Sequence, residues 1–411
     1  MINVFYMRTD NRLPQGWKYK KMPEVVKWGS GGTPKATESL YYENGTIPWL
    51  IIGDLNDGIV KDSATRITKL GLKNSSAKLI PCGTLLIAMY GSIGKLGITG
   101  FECCTNQAIA FAQNLNGVDT MFLFYYLMMI KPKLVQMGKG GTQKNISQTV
   151  LNSLYIPLPP LPTQQAIVSR IETLFTELDK GVEHLRTAQQ QIKTYRQAVL
   201  SHWLNNEDGK WEMVKLGDVA EKIFDGPFGT HLKSDDYVSS GIRVVRLENI
   251  KAGYFDDSKQ SFVTPEKYEI IKRHTVYPTD LIMSTFISEE VKVCQMPKHI
   301  EFAVNKADCI GIRLKSLANN DFIKYYLSFR SVYHQLEIQV HGATRPRVNT
   351  TQIKNIEINL PPLSEQQRIV AEIESRLSQA SAAEESIGKS LQQAEALRQS
   401  ILKKAFNGEL I

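Results

Sequence analysis

Ile156-Pro157-Leu158-Pro159-Pro160-Leu161-Pro162-Thr163-Gln164-Gln165-Ala166-Ile167-Val168 is the stretch on which the fold turns, because it occurs twice. Ile358-Asn359-Leu360-Pro361-Pro362-Leu363 repeats its opening 202 residues later (158 to 360). At that same shift Gln366-Gln367, Ile369-Val370 and Ile373-Glu374 answer Gln164-Gln165, Ile167-Val168 and Ile171-Glu172. Working upstream, Gly140, Thr142 and Ile146 match Gly342, Thr344 and Val348. Further back the shift falls to 200, where Tyr125-Tyr126-Leu127 returns as Tyr325-Tyr326-Leu327. Near the start it is 194, with Trp17, Lys21 and Val25 answered by Trp211, Lys215 and Val219. A drifting offset is what loop insertions leave between two copies of one fold. The chain of 411 residues reads as a tandem duplication with a unit of about 200.

Each unit has two parts. The first is rich in Gly, Thr and aromatics, with short apolar runs (Ile47 to Ile52, Thr84 to Met89, Ile242 to Val245, Asp280 to Met283) that predict strands bounded by turns. One short helix interrupts them, Thr120 to Lys131 in the first copy and Asp321 to Arg330 in the second. The second part is a long helix that starts after the Pro-Pro pair, since proline ends a strand and restricts its predecessor. Ser364 with Gln367 predicts a capping box, and Thr163 a simpler cap. The fold class is therefore α+β: two tandem mixed α/β domains, residues 1–157 and 208–359, each followed by a long helix, 158–207 and 360–411.

The helices carry heptads. In the first, Ile167, Ile171, Leu174, Leu178, Leu185, Ala188, Ile192, Tyr195 and Val199 alternate at spacings of four and three, missing only at Gly181. In the second, Ile373, Ala380, Ile387, Ala394 and Ile401 recur every seven, with Leu377, Leu391 and Ala405 beside them and Glu384 and Arg398 breaking that companion row. One such helix would pack on its own domain. Two of matching length predict a mutual pairing as a coiled coil that acts as a spacer, with Ile171, Leu178, Leu185 and Ile192 on one helix and Ile373, Ile387 and Ile401 on the other.

Composition narrows the function. Hydrophobic residues at 42% and charged residues at 22% are those of a globular protein, which excludes wholesale disorder. The longest apolar run, Met121 to Ile130, falls short of the ~20 residues that span a bilayer. Met1 to Asp10 lacks a basic flank before an apolar stretch, so no signal peptide is expected. Five cysteines without a C-x-x-C pair fit reduced thiols in the cytoplasm. A formal charge of +8 permits a polyanionic partner without establishing one.

Catalytic signatures are absent. Gly94-Lys95 is followed by Leu96 rather than Ser or Thr, and Met89 stands where the first glycine of a phosphate-binding loop belongs. Gly29-Ser30-Gly31-Gly32 has the context of a turn between short strands, and the Leu-Pro-Pro-Leu runs lack the polar and aromatic flanks of an adenine methyltransferase. No dinucleotide fingerprint and no H-E-x-x-H occurs. Asp280 with Glu290-Val291-Lys292 imitates the acid set of a metal-dependent nuclease, without an equivalent in the first copy. The chain reads as a binder; a metal-dependent endonuclease or a plain coiled-coil scaffold are the alternatives.

Two domains each closed by Leu-Pro-Pro-Leu, a Gln-Gln pair and a heptad helix resemble the DNA-specificity subunit of type I restriction–modification systems. The resemblance spans nearly the whole chain. It is carried by Gly31-Gly32-Thr33-Pro34 with Ile47-Pro48-Trp49, by Gly226-Pro227-Phe228-Gly229-Thr230, by Gly141-Thr142-Gln143-Lys144-Asn145-Ile146-Ser147, and by Leu360-Pro361-Pro362-Leu363-Ser364-Glu365-Gln366-Gln367. There are two departures: Thr163 stands before Gln164 where the family usually has an acid, and Ala343-Thr344-Arg345-Pro346-Arg347 replaces the Gly-Thr-Gln loop in the second copy. The resemblance implies a non-catalytic subunit whose two target-recognition domains each read half of a split site on double-stranded DNA, and a coiled coil that is antiparallel. It implies modification subunits carrying S-adenosylmethionine and restriction subunits using ATP and Mg²⁺, with no cofactor on this chain. Candidate DNA contacts are Thr142, Gln143, Lys144, Asn145, Thr344, Arg345 and Arg347, with Thr33, Lys35, Thr230 and Lys233 near the glycine loops around Gly32 and Gly229. Arg243 and Arg246, three apart on a strand, point to opposite faces, so at most one is available.

Overall fold

A computed structural model describes residues 13–139, 144–205, 209–287, 290–340 and 346–411. The chain divides into two compact units: one runs up to Leu185 and includes Lys389–Ile411, the other is Arg186–Gly388. Each unit therefore holds one mixed domain, part of its own long helix and part of the other copy's.

In the first unit a five-stranded sheet runs in the order Lys27–Ser30, Ile109–Gln113, Leu85–Ala88, Leu96–Thr99, Gly58–Val60. A three-stranded sheet is centred on Ile47–Leu50, which pairs in parallel with Cys104–Thr105. In the second unit the matching elements are a four-stranded sheet (Ala220–Phe224, Cys309–Leu314, Leu281–Ser284, Val293–Gln295) and a five-stranded one in which Ile242–Val245 runs parallel to Ala303–Asn305. Both domains are closed by the same two-stranded clasp, Lys18–Lys21 on Tyr155–Leu158 and Glu212–Lys215 on Glu357–Leu360. The clasp brings the start of each domain to the threshold of its long helix. The short helices run Thr120–Met137 in the first copy and Asn320–Leu327, then Arg330–Glu337, in the second, longer or more broken than the sequence predicts.

The twice-occurring motif proves to be a clamp. Gln164 is fully buried; its amide accepts from the Asp119 N–H (2.8 Å) and donates to the carbonyls of Gly117 (2.9 Å) and Pro159 (2.8 Å). Gln366 repeats this with the Asn319 N–H (2.7 Å) and the carbonyls of Leu317 (3.2 Å) and Pro361 (2.8 Å). A buried amide must satisfy its donors and acceptor, so one glutamine locks the long helix to the start of the short one. The long helices are Leu161–Leu204 and Leu363–Phe406, 44 residues each. They begin one or two residues earlier than the predicted caps: Thr163 and Ser364 lie within the first turn, and the carbonyls of Pro160 and Pro362 accept its first N–H groups.

The helices run antiparallel. In the first unit Ile167, Ile171 and Phe175 share a core with Ile401, Leu402, Ala405 and Phe406. In the second, Val199, Leu200 and Leu204 share one with Ile369, Val370, Ile373 and Leu377. The seam narrows between: Leu178, Leu185, Ile192 and Ile387 are half-buried. Tyr195, placed on the seam by the heptad count, is largely exposed, while Phe175, outside that count, is buried. Near its ends each helix packs on a domain as well as on its partner, which takes a wider apolar stripe than a two-position heptad supplies. The two breaks in the second helix's row are ionic. Arg398 pairs with Asp179, and Arg196 pairs with Glu384 (3.0 Å) and donates to the Ser381 hydroxyl (2.9 Å).

Candidate nucleic-acid interface

In the first copy the glycine motif and the Ile47-Pro48-Trp49 motif meet. The Trp49 indole donates to the Gly32 carbonyl (2.9 Å), the Tyr42 hydroxyl to the Pro34 carbonyl (2.6 Å), and the two rings pack edge to face. Gly31 is required there, since a Cβ would fall 2.2 Å from the Thr105 carbonyl oxygen. The turn so fixed presents Thr33, exposed, whose hydroxyl donates to Gln107. Beside Gln107, the Ala108 carbonyl accepts from the Met89 N–H (2.8 Å), and the Met89 carbonyl accepts from the Ile146 N–H (2.9 Å). Asn145 bridges both Tyr90 and Lys139. Thr33, Gln107, Tyr90, Lys144 and Asn145 thus lie on adjoining backbone segments. Lys144, Asn145 and Tyr90 are exposed. Lys35 is exposed nearby in sequence, with no ion pair among the described residues. Thr142 and Gln143 lie outside the described residues.

The second copy builds the same frame with other side chains. The Asp308 carbonyl accepts from the Thr285 N–H (3.0 Å), the Thr285 carbonyl from Val348 N–H (2.9 Å), and Phe286 bridges Arg347. Tyr90, Ala108, Lys144 and Asn145 therefore correspond to Phe286, Asp308, Pro346 and Arg347. Despite the divergent sequence, residues 346–348 dock on their strand as residues 144–146 do. The backbone-crowded glycine is Gly226, whose Cβ would meet the Lys306 carbonyl at 2.1 Å; Gly229 has open space and a φ of +56°. Lys233 is exposed. Thr344, Arg345 and the side chain of Thr230 lie outside the described residues.

Of the two strand arginines, Arg243 is buried and pairs with Asp257 at 2.6 Å. Burial lowers its pKa and the Asp257 charge opposes that. Arg246 is half-buried and joins Lys306 over the Tyr237 ring, 5.5 and 5.3 Å from its centroid. Both cations directly follow the parallel strands Ile242–Val245 and Ala303–Asn305. Lys306, Tyr90, Gln107, Phe286 and Asp308 were not legible from sequence: no motif marks them, and only the pairing of strands sets them beside the loop.

The nuclease alternative fails on geometry. Asp280 is buried and both its oxygens are held by Arg313, at 3.0 and 2.7 Å. It precedes a strand opposite Met296, whereas Lys292 sits at the other end of that hairpin, opposite Ser284. Four residues of strand separate the ends by roughly 13 Å, too far for shared metal ligation. Among the described residues no three His, Cys, Asp or Glu side chains converge as a metal-ligand set. Burial pushes the thiols of Cys103 and Cys294 up to about 12 and that of Cys104 to about 11, so these cysteines are protonated packing groups and not nucleophiles.

A family model described as the type I restriction modification DNA specificity domain matches residues 14–185 and again 208–393. The chain belongs to this specificity family. Members are DNA-recognition components without catalysis of their own. The EcoKI specificity subunit of Escherichia coli K12 is 24% identical, over 97% of this chain and 90% of its own length. The MjaVIII specificity subunit of Methanocaldococcus jannaschii is 23% identical, over 89% and 87%. A chain from a solved type I R-M system superposes with a TM-score of 0.69 at 19% identity, covering 97% of this chain and 99% of the other, which shows a shared fold. For a specificity family, two equivalent frames with unlike exposed side chains are what the geometry should provide. No helix among the described residues is long and apolar enough to cross a membrane.

Proposed function

We propose that this chain reads a split site on double-stranded DNA, one half per recognition domain, and carries modification subunits (adenine methyltransferases) and restriction subunits (ATP-dependent translocase-nucleases) to it. S-adenosylmethionine, ATP and Mg²⁺ belong to those partners, and the complex works in the cytoplasm. Residues 1–157 and 208–359 are the recognition domains, and 158–207 and 360–411 the spacer. The observation that carries the reading is the doubled frame around Tyr90 and Phe286, which holds exposed Asn145 and Arg347 at the same backbone position. In this reading Thr33, Lys35, Lys144, Thr230, Lys233 and Thr344 serve backbone contacts, while Gln143, Asn145, Arg345 and Arg347 reach base edges.

Motif-resolved methylome sequencing of a host with and without the chain is the test. A two-part motif present only with the chain is expected; an unchanged methylome refutes the proposal. Binding by the assembled methyltransferase should weaken by on the order of tenfold or more between low and moderate salt, as phosphate contacts release counterions. Lys144→Ala should weaken all sites alike, and Gln143→Ala should relax preference at one base position.

A further inference from the structure

We propose that Arg347, held by Asp308 and Phe286, reads a guanine in the half-site of the second domain; this rests on the DNA-reading function above and names one of its base contacts. Arg347 is just over half exposed, yet its guanidinium is fixed on two sides. Its Cζ lies 4.5 Å from the centroid of the Phe286 ring, and Nη2 donates to Asp308 Oδ2 at 3.2 Å. Asp308 is itself constrained: it has a φ of +70°, its carbonyl takes the Thr285 N–H, and its Oδ1 accepts from the Thr285 hydroxyl at 3.4 Å. Nε and Nη1 have no partner among the described residues.

Three features separate this arginine from a phosphate contact. A phosphate tolerates a mobile cation, whereas the adjacent O6 and N7 of guanine are matched best by a planar fork held in a set orientation. Stacking on the ring and pairing with the carboxylate restrict the rotamers before binding, so less order is lost when the fork engages. The carboxylate is the second feature. An acid on a DNA-facing loop repels phosphates, and the side chain it touches is the one its charge can orient. The third is the first copy, where the same backbone positions carry Tyr90, Ala108 and Asn145, with neither guanidinium nor acid. The frame is shared and the reading group is changed, as expected of two halves that differ in sequence.

The complex of this chain with its modification subunits should be tested on duplexes in which each base pair of its methylated motif is replaced in turn. Wild type should discriminate about ten- to hundredfold at one G·C pair that Arg347→Ala no longer distinguishes, with discrimination elsewhere intact. Arg347→Lys keeps the charge without the planar fork and should weaken the same discrimination while holding overall affinity better. It also decides the matter should the alanine variant fail to assemble. Asp308→Asn, which removes the charge and keeps the shape, should weaken discrimination at that same pair. A loss of affinity uniform across all duplexes, in Arg347→Ala or in Arg347→Lys, would overturn the guanine assignment. Wild type binding every duplex equally would instead sink the DNA-reading function itself.

Discussion

A single side chain in the second domain shows how charge and packing share a site. His274 is buried; its Nδ1 donates to the Asp225 carbonyl at 2.6 Å while its Nε2 accepts from Arg273 Nε at 2.9 Å. Only the neutral ring can do both. Burial is the main cause pushing its pKa down, the Arg273 charge adds to that, and the bond to the Asp225 carbonyl opposes it. A folded pKa below the unfolded one gives stability that is complete above the unfolded value, about 6.5, and lost as pH falls through the folded value. The melting temperature of wild type should therefore drop between pH 7 and pH 5 by more than that of His274→Gln, and equal slopes would refute the linkage. This role was invisible in the sequence, where a lone histidine carries no signal. The same holds for Asp308 and Gln107, which matter through neighbours some 40 and 74 residues away. By contrast Gln164 and Gln366 stood out, because a buried amide with three obligatory bonds is needed in both copies.

At the scale of elements, the helices were legible and their partners only in part. Apolar spacing marks a helix and its buried face, but not where a seam between two helices widens onto a domain; hence the heptad count puts Tyr195 inside and passes over Phe175. Strands were legible as apolar runs, yet the parallel pairing of Ile47–Leu50 with Cys104–Thr105 joins segments some 55 residues apart and left no local trace. Gly181 and Gly388 lie within the long helices with ordinary backbone geometry and open space where a methyl group would stand. Alanine at either should stabilise by about 1 kcal/mol, the usual difference in a helix interior, measurable by urea unfolding. The ion pair Asp179–Arg398 and the hydrogen-bonded pair Arg196–Ser381 also fix the register: in both, the residue numbers add to 577, so Gln189 faces Gly388. Four residues inserted at both points lengthen each helix by about 6 Å. If the pair sets the gap, methylome sequencing of the double insertion should find the same half-sites one or two base pairs further apart, since a step of B-DNA is about 3.4 Å. An unchanged gap would mean that the helices fasten the domains without measuring.

Across the whole molecule, each domain's core is finished by the far end of the other copy's helix. Phe406 packs tilted against Phe122 and edge to face against Tyr126, with ring centroids 4.9 and 5.3 Å away, and Ile401, Leu402 and Ala405 complete the same cluster. At the 202-residue shift their counterparts are Leu204, Val199, Leu200 and Trp203, of which the three aliphatics belong to the second domain's core. Phe406→Ala should thus destabilise the first unit by about 3–5 kcal/mol, the range for a buried aromatic truncated in a core. A chain ending near Asn206 loses that contribution entirely and uncovers Phe122, Tyr126, Ile167 and Ile171 in one patch. Its own Val199, Leu200 and Leu204 are freed at the same time, because the domain they would cover is gone. A second copy of the truncated chain supplies the same kind of helix end in the antiparallel sense, so each protomer can cover the other's patch. Leucine in place of Phe406 fills less of the pocket, which should make this dimer weaker than the intact pairing but still favoured over an exposed apolar face. Light scattering on the purified fragment should give twice the chain mass, and with modification subunits it should direct methylation to a symmetric site built from the first domain's half alone. A monomeric fragment that stays soluble would refute the idea that helix ends complete the domain cores.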